Sequence, residues 1–302
     1  MTSLSMDNHK KGLVLTTIGG LALSFDVPLV RLGHGELWST LALRSVTTFA
    51  AAIVLWLLLR RFGSARPVLV PGRAGLAAGL CYGISTIAFL GAVFNTATAN
   101  VVFIVAFTPM FAALLGWLFL KERPSPSTLL TMLAMLAGVG LIVSGGLAGG
   151  HLLGDILAAT ASLLLALAIT IGRAARIDMG FVPLVATIIP ALIGLSFAGA
   201  SFWAGTGGFS VADPFWVMLD GAVIMPLAFW CLATGPKYLS GPEVGMFYLL
   251  ETILAPIWVW LIFSEIPSSR TLLGGAILVL ALIGYSLRQM RRVERLRAQP
   301  AA

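Results

Sequence analysis

Apolar runs of about 20 residues, the length that crosses a hydrocarbon core of about 30 Å, recur along the whole chain with short polar breaks between them. By hydropathy they cover residues 12–32, 37–59, 73–94, 99–120, 127–143, 153–171, 181–202, 215–234, 243–263 and 272–287. The pattern predicts an all-α membrane protein with ten transmembrane helices, a short tail at 1–11, a basic tail at 289–302 and no soluble domain. The first run follows Lys10 and Lys11 as a signal peptide would. It is too long for one, lacks a small-residue cleavage site and ends in Asp26, Pro28 and Arg31, so it reads as a retained helix.

Shifting the sequence by 143 residues lays the first half on the second without insertion. Trp117 then falls on Trp260, Glu122 on Glu265, Pro124-Ser125 on Pro267-Ser268, and Leu129-Leu130 on Leu272-Leu273. Leucine matches are cheap in an apolar chain, but agreement of Trp, Glu and Pro at one offset marks a duplication. The repeats are residues 12–145 and 153–288. Each has five helices, an odd number, so the second enters the membrane from the opposite side and the repeat is inverted. Two inverted halves exchanging shapes around one central site is a recurrent transporter design.

Composition agrees with burial in lipid: 59% of residues are hydrophobic and 10% charged, where soluble domains carry about a quarter charged. The net charge of +7 raises nucleic acid as a partner. Its distribution argues against that. Lys10 and Lys11, then Arg60, Arg61, Arg66 and Arg73, then Lys121 and Arg123, then Arg173 and Arg176, then Lys237 fall on one side, and the tail adds Arg288, Arg291, Arg292, Arg295 and Arg297. The other side has Arg31 and Arg270, and Arg44 lies inside a helix. The positive-inside rule therefore predicts a multi-pass protein of a bacterial inner membrane with both termini cytoplasmic. Cys81 and Cys231 fall within helices and argue for neither a disulfide nor a thiol metal site.

The stretch from Thr108 through Pro109 and Trp117 to Lys121-Glu122, followed by an apolar helix, resembles the EamA repeat of the drug/metabolite transporter superfamily. Leu250-Glu251-Thr252 through Ser264-Glu265 repeats it, with Thr252 in place of the second proline and Pro256 one turn later. The resemblance implies ten helices and alternating-access transport, usually export of amino acids or related metabolites. The motif does not encode the substrate.

In inverted-repeat transporters, Gly and Pro interruptions at matching positions point to the substrate site. Gly83 in the third helix matches Pro226 in the eighth, and Pro109 in the fourth lies near the depth of Pro256 in the ninth. A cavity between helices three, four, eight and nine is expected, with packing kinks as the plainer reading. Glu251 lies mid-helix, opposite Thr108 in the repeat. An ionised carboxylate there costs several kcal/mol, so Glu251 is either a substrate or proton-coupling group or a neutral acid bonding across helices. Asp26 and Arg44 flank the turn at Gly33 and His34 almost equally and reach one depth, as a structural pair or a gate. Asp220 reaches that cluster or the interface.

Tyr82 and Tyr248 are candidate substrate contacts or ordinary interhelical bonds. The eight tryptophans read as an interfacial belt, with Trp230 alone kept as a possible lining of the cavity mouth. Asn100 and Glu243 read as helix caps, and Glu122 and Glu265 as holders of loop backbone. Ala134 and Gly138 suit close packing, which leaves a monomer or a homodimer open. His9, His34 and His151 sit in tails or loops, without carboxylates at metal-ligand spacing. No enzyme, metal, cofactor or nucleotide loop is therefore expected. The readings that remain are a secondary transporter of a small polar metabolite and a membrane-embedded receptor or regulatory subunit that binds without flux.

Overall fold

A computed structural model describes residues 2–62, 67–176, 179–205, 208–234, 238–239 and 241–298, with 2–9, 146–149, 202, 233, 241–246, 248, 289 and 292–298 described for their backbone alone. Arg66 and Lys237 lie outside the described residues, as do the side chains of His9, Glu243, Tyr248, Arg292, Arg295 and Arg297.

The described residues fold into ten helices. We number them α1 (Thr2–Leu23 and Asp26–Leu32), α2 (Leu37–Phe62), α3 (Gly72–Asn95), α4 (Thr98–Val105 and Thr108–Leu120), α5 (Pro126–Gly149), α6 (Leu152–Ala175), α7 (Val182–Val185 and Ile188–Trp203), α8 (Pro214–Thr234), α9 (Gly241–Phe263) and α10 (Ser269–Ala298). Among the described residues nine are long and apolar enough to cross a bilayer, and the apolar stretch Leu249–Phe263 of α9 makes the tenth. Both tails extend their helices, because hydropathy marks where lipid begins, not where backbone hydrogen bonding stops. The face carrying both chain ends is called here the terminal face, and the other the distal face.

The contacts come in pairs related by exchanging the halves. Helix α3 packs on α6 as α8 packs on α1, α4 lies against α6 as α9 lies against α1, and α2–α7, α5–α10 and α4–α9 pair with their own counterparts. The 143-residue offset also recurs in local geometry. Lys121 and Ser264, which end α4 and α9, both turn left-handed at φ 57 and 56°. Ser125 accepts from the Thr128 amide at 3.2 Å, and Ser268 from the Thr271 amide at 3.1 Å, so α5 and α10 are capped alike.

Side-chain chemistry sets the helix breaks. Pro109 cannot donate to the Val105 carbonyl, and that carbonyl instead accepts from the Thr108 hydroxyl at 2.6 Å. Ser162 of α6 stands 3.0 Å from the same hydroxyl and 3.4 Å from the same carbonyl. Pro226 follows a π-helical turn, Asp220–Ile224, which absorbs its missing hydrogen bond. Pro28 lies just beyond the break of α1 at Ser24 and Phe25. Pro256 sits inside α9, whose helix runs on through it.

Gly83, expected to break α3, does not. The helix is continuous from Gly72 to Asn95, and a Cβ at Gly83 would stand 2.8 Å from Ile189 and 3.0 Å from the Ala186 carbonyl of α7. The missing side chain serves close helix packing. The same holds for Gly138, whose Cβ would lie 2.8 Å from the Gly274 carbonyl, while one at Gly274 would lie 2.5 Å from the Gly138 carbonyl. This glycine is used between α5 and α10 within one chain and is not free for a dimer interface. Gly274→Val is expected to wedge these helices apart, costing about 1–3 kcal/mol and lowering the thermal unfolding midpoint in detergent. Gly140→Val, at a position where nothing lies within 4 Å, is expected to leave it unchanged.

Candidate functional site

Lipid has no water to solvate charge, so a buried ion pair in a membrane helix needs well-placed partners. Arg44 of α2 is 3% exposed and donates through Nη2 to Asp26 Oδ1 and through Nε to Asp220 Oδ2, both at 2.7 Å. Asp26 is 3% exposed and Asp220 fully buried. At about 1.5 Å per residue, all three lie about 9–11 Å in from the distal ends of α1, α2 and α8. Asp220 opens the π-helical turn, and its Oδ1 has no hydrogen-bond partner. The tight turn before Asp26 and the π turn at Asp220 aim both carboxylates at one guanidinium. Gly221 allows the approach: a Cβ there would stand 2.1 Å from the Thr47 hydroxyl and 2.5 Å from the Arg44 carbonyl.

Glu251 of α9 is half-buried near the helix middle, within electrostatic reach of Asp26 and Arg44. Two turns on, along the same face, Trp258 donates from Nε1 to the Ser24 hydroxyl at 3.1 Å and stacks on Phe25 at 5.1 Å. Trp258 therefore fills the break in α1 and does not belong to an interfacial belt. Just beyond the end of α9, Glu265 pairs with Arg31 and accepts from the Thr98 amide at 3.0 Å. The α1–α9 seam thus carries polar groups from mid-membrane to the distal rim.

The charged cluster has no counterpart in the other half. The offset of 143 places Ile169, Thr187, Ala77 and Thr108 where Asp26, Arg44, Asp220 and Glu251 stand. At the middle of the matching α4–α6 seam, beside Thr108, the polar contacts are neutral, Thr108 with Ser162 and Val105. The polar centre is therefore built from α1, α2, α8 and α9, where the sequence pointed to three, four, eight and nine. Helix α3 contributes no charge, and its Ser85 hydroxyl is spent on the Ala161 carbonyl at 2.8 Å.

Other expected residues fall elsewhere. Tyr82 packs half-buried against Ala78, Ala168 and Val182, away from Glu251, where α3 meets α6 and α7. Trp230 continues the exposed stripe of Phe215, Met218, Val223 and Leu227, an apolar face along α8 of the kind turned to lipid. Asn100 is no simple cap. Its Nδ2 donates to Asp155 Oδ1 at 3.2 Å and its Oδ1 accepts from Thr271 at 2.8 Å, while Thr96 donates to the same Asp155 oxygen at 2.9 Å. Asp155, passed over in the sequence, joins the starts of α4, α6 and α10 at the distal face. Gly154 beside it is the available signal, since a Cβ there would be 2.6 Å from Asn95 backbone. Among the described residues no group of three or more His, Cys, Asp and Glu could hold a metal.

The EamA-like transporter family matches residues 10–144, the first repeat. No curated protein sequence matches the chain. One crystal structure of a protein superposes with a TM-score of 0.59 over 89% of this chain and 96% of its own, at 17% identity, which speaks to shared fold alone. Residues 10–144 are thus similar to the EamA-like transporter family, and the apolar helices described above identify the chain as a multi-pass membrane protein.

Proposed function

We propose that this protein is a proton-coupled secondary transporter that exports a small polar, amino-acid-like metabolite by alternating access. It sits in a bacterial inner membrane with the terminal face cytoplasmic. The orientation rests on the basic residues crowding that face, and the absence of enzymatic activity rests on the family. The observation that carries the coupling is the charge balance on one side of the fold: Asp26 and Asp220 share a single guanidinium, that of Arg44, and Glu251 adds a third carboxylate within electrostatic reach of them. Such a surplus of negative charge inside a membrane calls for a compensating cation. A proton supplies it in one state and a substrate amine in another. Glu251 is the member we assign to the exchange, because it is only half-buried and is not paired to Arg44 at bonding distance. Thr108 holds a helix break on the neutral side.

The test is flux. Purified protein in liposomes with an acidic lumen is expected to accumulate one or more members of a panel of labelled amino acids and small polar metabolites, as proton antiport requires. Binding of a panel member without accumulation would favour the receptor or regulatory-subunit reading. Glu251→Gln is expected to abolish accumulation driven by the gradient. Its retention in that variant would sink the role of Glu251.

A further inference from the structure

We propose that Glu265–Arg31 and Glu122–Arg173 are the two latches of the alternating cycle, one at each membrane face, and that the distal latch is the stronger. The inference rests on the alternating-access reading above. Glu122 and Glu265 are the same repeat position, each just beyond the left-handed residue that ends α4 or α9. Each pairs across the repeat boundary. Glu265 of the second half takes Arg31 at the end of α1, and Glu122 of the first half takes Arg173 at the end of α6, at 2.5 Å. Arg31 carried through the offset falls on Ala174, one residue from Arg173. The two pairs therefore tie equivalent helix ends at opposite faces, α9 to α1 on the distal side and α4 to α6 on the terminal side.

A transporter must open one face while holding the other shut, and a pair of cross-half ties at opposite ends of the two equivalent seams does that. Their environments differ. The side chains of Arg31 and Glu265 are 24% and 26% exposed, and Glu265 also holds the Thr98 amide. Those of Arg173 and Glu122 are 48% and 53% exposed, and exposed ion pairs hold weakly. The terminal latch gives way first. An empty protein then presents its central carboxylates to the terminal face, the orientation in which an exporter loads from the cytoplasm.

Spin-label distances in the full chain in nanodiscs, without substrate, test this. Cys81 and Cys231 are replaced by Ser, and labels are placed at Glu36 and Ile266 across the distal latch or at Arg123 and Ala174 across the terminal one. Wild type is expected to show one narrow distal distance and a terminal distribution with a second, longer component. Glu265→Gln is expected to add a longer component to the distal pair alone, and Glu122→Gln to enlarge that of the terminal pair alone. The charge exchange Arg31→Glu/Glu265→Arg is expected to restore the narrow distal distance, which misfolding would not allow. Glu265→Gln and Glu122→Gln leaving their own ends unchanged, or opening both ends alike, would overturn the latches. A wild type that opens distally would overturn their ranking. Because no substrate enters the measurement, failure of the transport reading leaves these distances intact, whereas failure of the latches leaves flux intact.

Discussion

Arg44→Met is expected to be the most damaging single substitution in the chain, yielding little monodisperse protein and a much lower thermal unfolding midpoint. Removing one partner of a buried pair costs about 3–5 kcal/mol, and here one guanidinium serves Asp26 and Asp220 together. Set against a total stability of about 5–15 kcal/mol, that loss is close to unfolding. The cost comes from stranding two carboxylates in a medium that cannot solvate them. Neutralising them as well removes the cause, so Asp26→Asn/Arg44→Met/Asp220→Asn is expected to regain most of the midpoint. If the triple variant is no more stable than Arg44→Met, the charges are not what sets the cost.

Gly221→Val is the second large effect, and it separates geometry from charge. A side chain at this position meets the Arg44 carbonyl, part of the α2 backbone, at 2.5 Å. The Thr47 hydroxyl, at 2.1 Å, can turn away, but the carbonyl cannot. Overpacking of this kind costs about 1–3 kcal/mol, occasionally more, and here it also draws Asp220, the preceding residue, off Arg44. We expect the unfolding midpoint to fall and Thr47→Ala in the same chain not to rescue it. Ala222→Val, one residue on and exposed, is expected to be silent. A rescue by Thr47→Ala would place the strain in the hydroxyl and leave the α2–α8 approach unimportant.

The architecture was legible because its signals are periodic and lipid enforces them: ten apolar runs, one offset, and positive charge on alternate loops. The meeting of Asp26 and Arg44 could be read because a tight hairpin fixes relative depth without knowledge of the rest of the fold. Contacts made by α9 were harder. Trp258 reaches Ser24 across 234 residues of chain, and nothing local in either segment announces it. The spacing of Glu251 and Trp258, seven residues apart on one face of α9, with Glu265 just past its end, was the available clue. Another was the offset itself, which puts neutral residues opposite every member of the charged cluster and so marks which side of the fold holds the charge. Gly83 and Pro226 show the limit of alignment, since matched positions need not do matched work. Proline removes a helix hydrogen bond wherever it stands, whereas glycine can equally let a neighbour approach.

The central claim is that a proton exchanges for substrate at Glu251 of α9. Proton movement measured by an entrapped pH dye, in liposomes loaded to an acidic lumen, tests it most directly. The account predicts that adding substrate to wild type alkalinises the lumen in proportion to the substrate accumulated. It also predicts that Glu251→Gln, still folded by its thermal unfolding midpoint, neither accumulates substrate nor moves protons. Substrate entry without alkalinisation in wild type, or unchanged alkalinisation in Glu251→Gln, would contradict it.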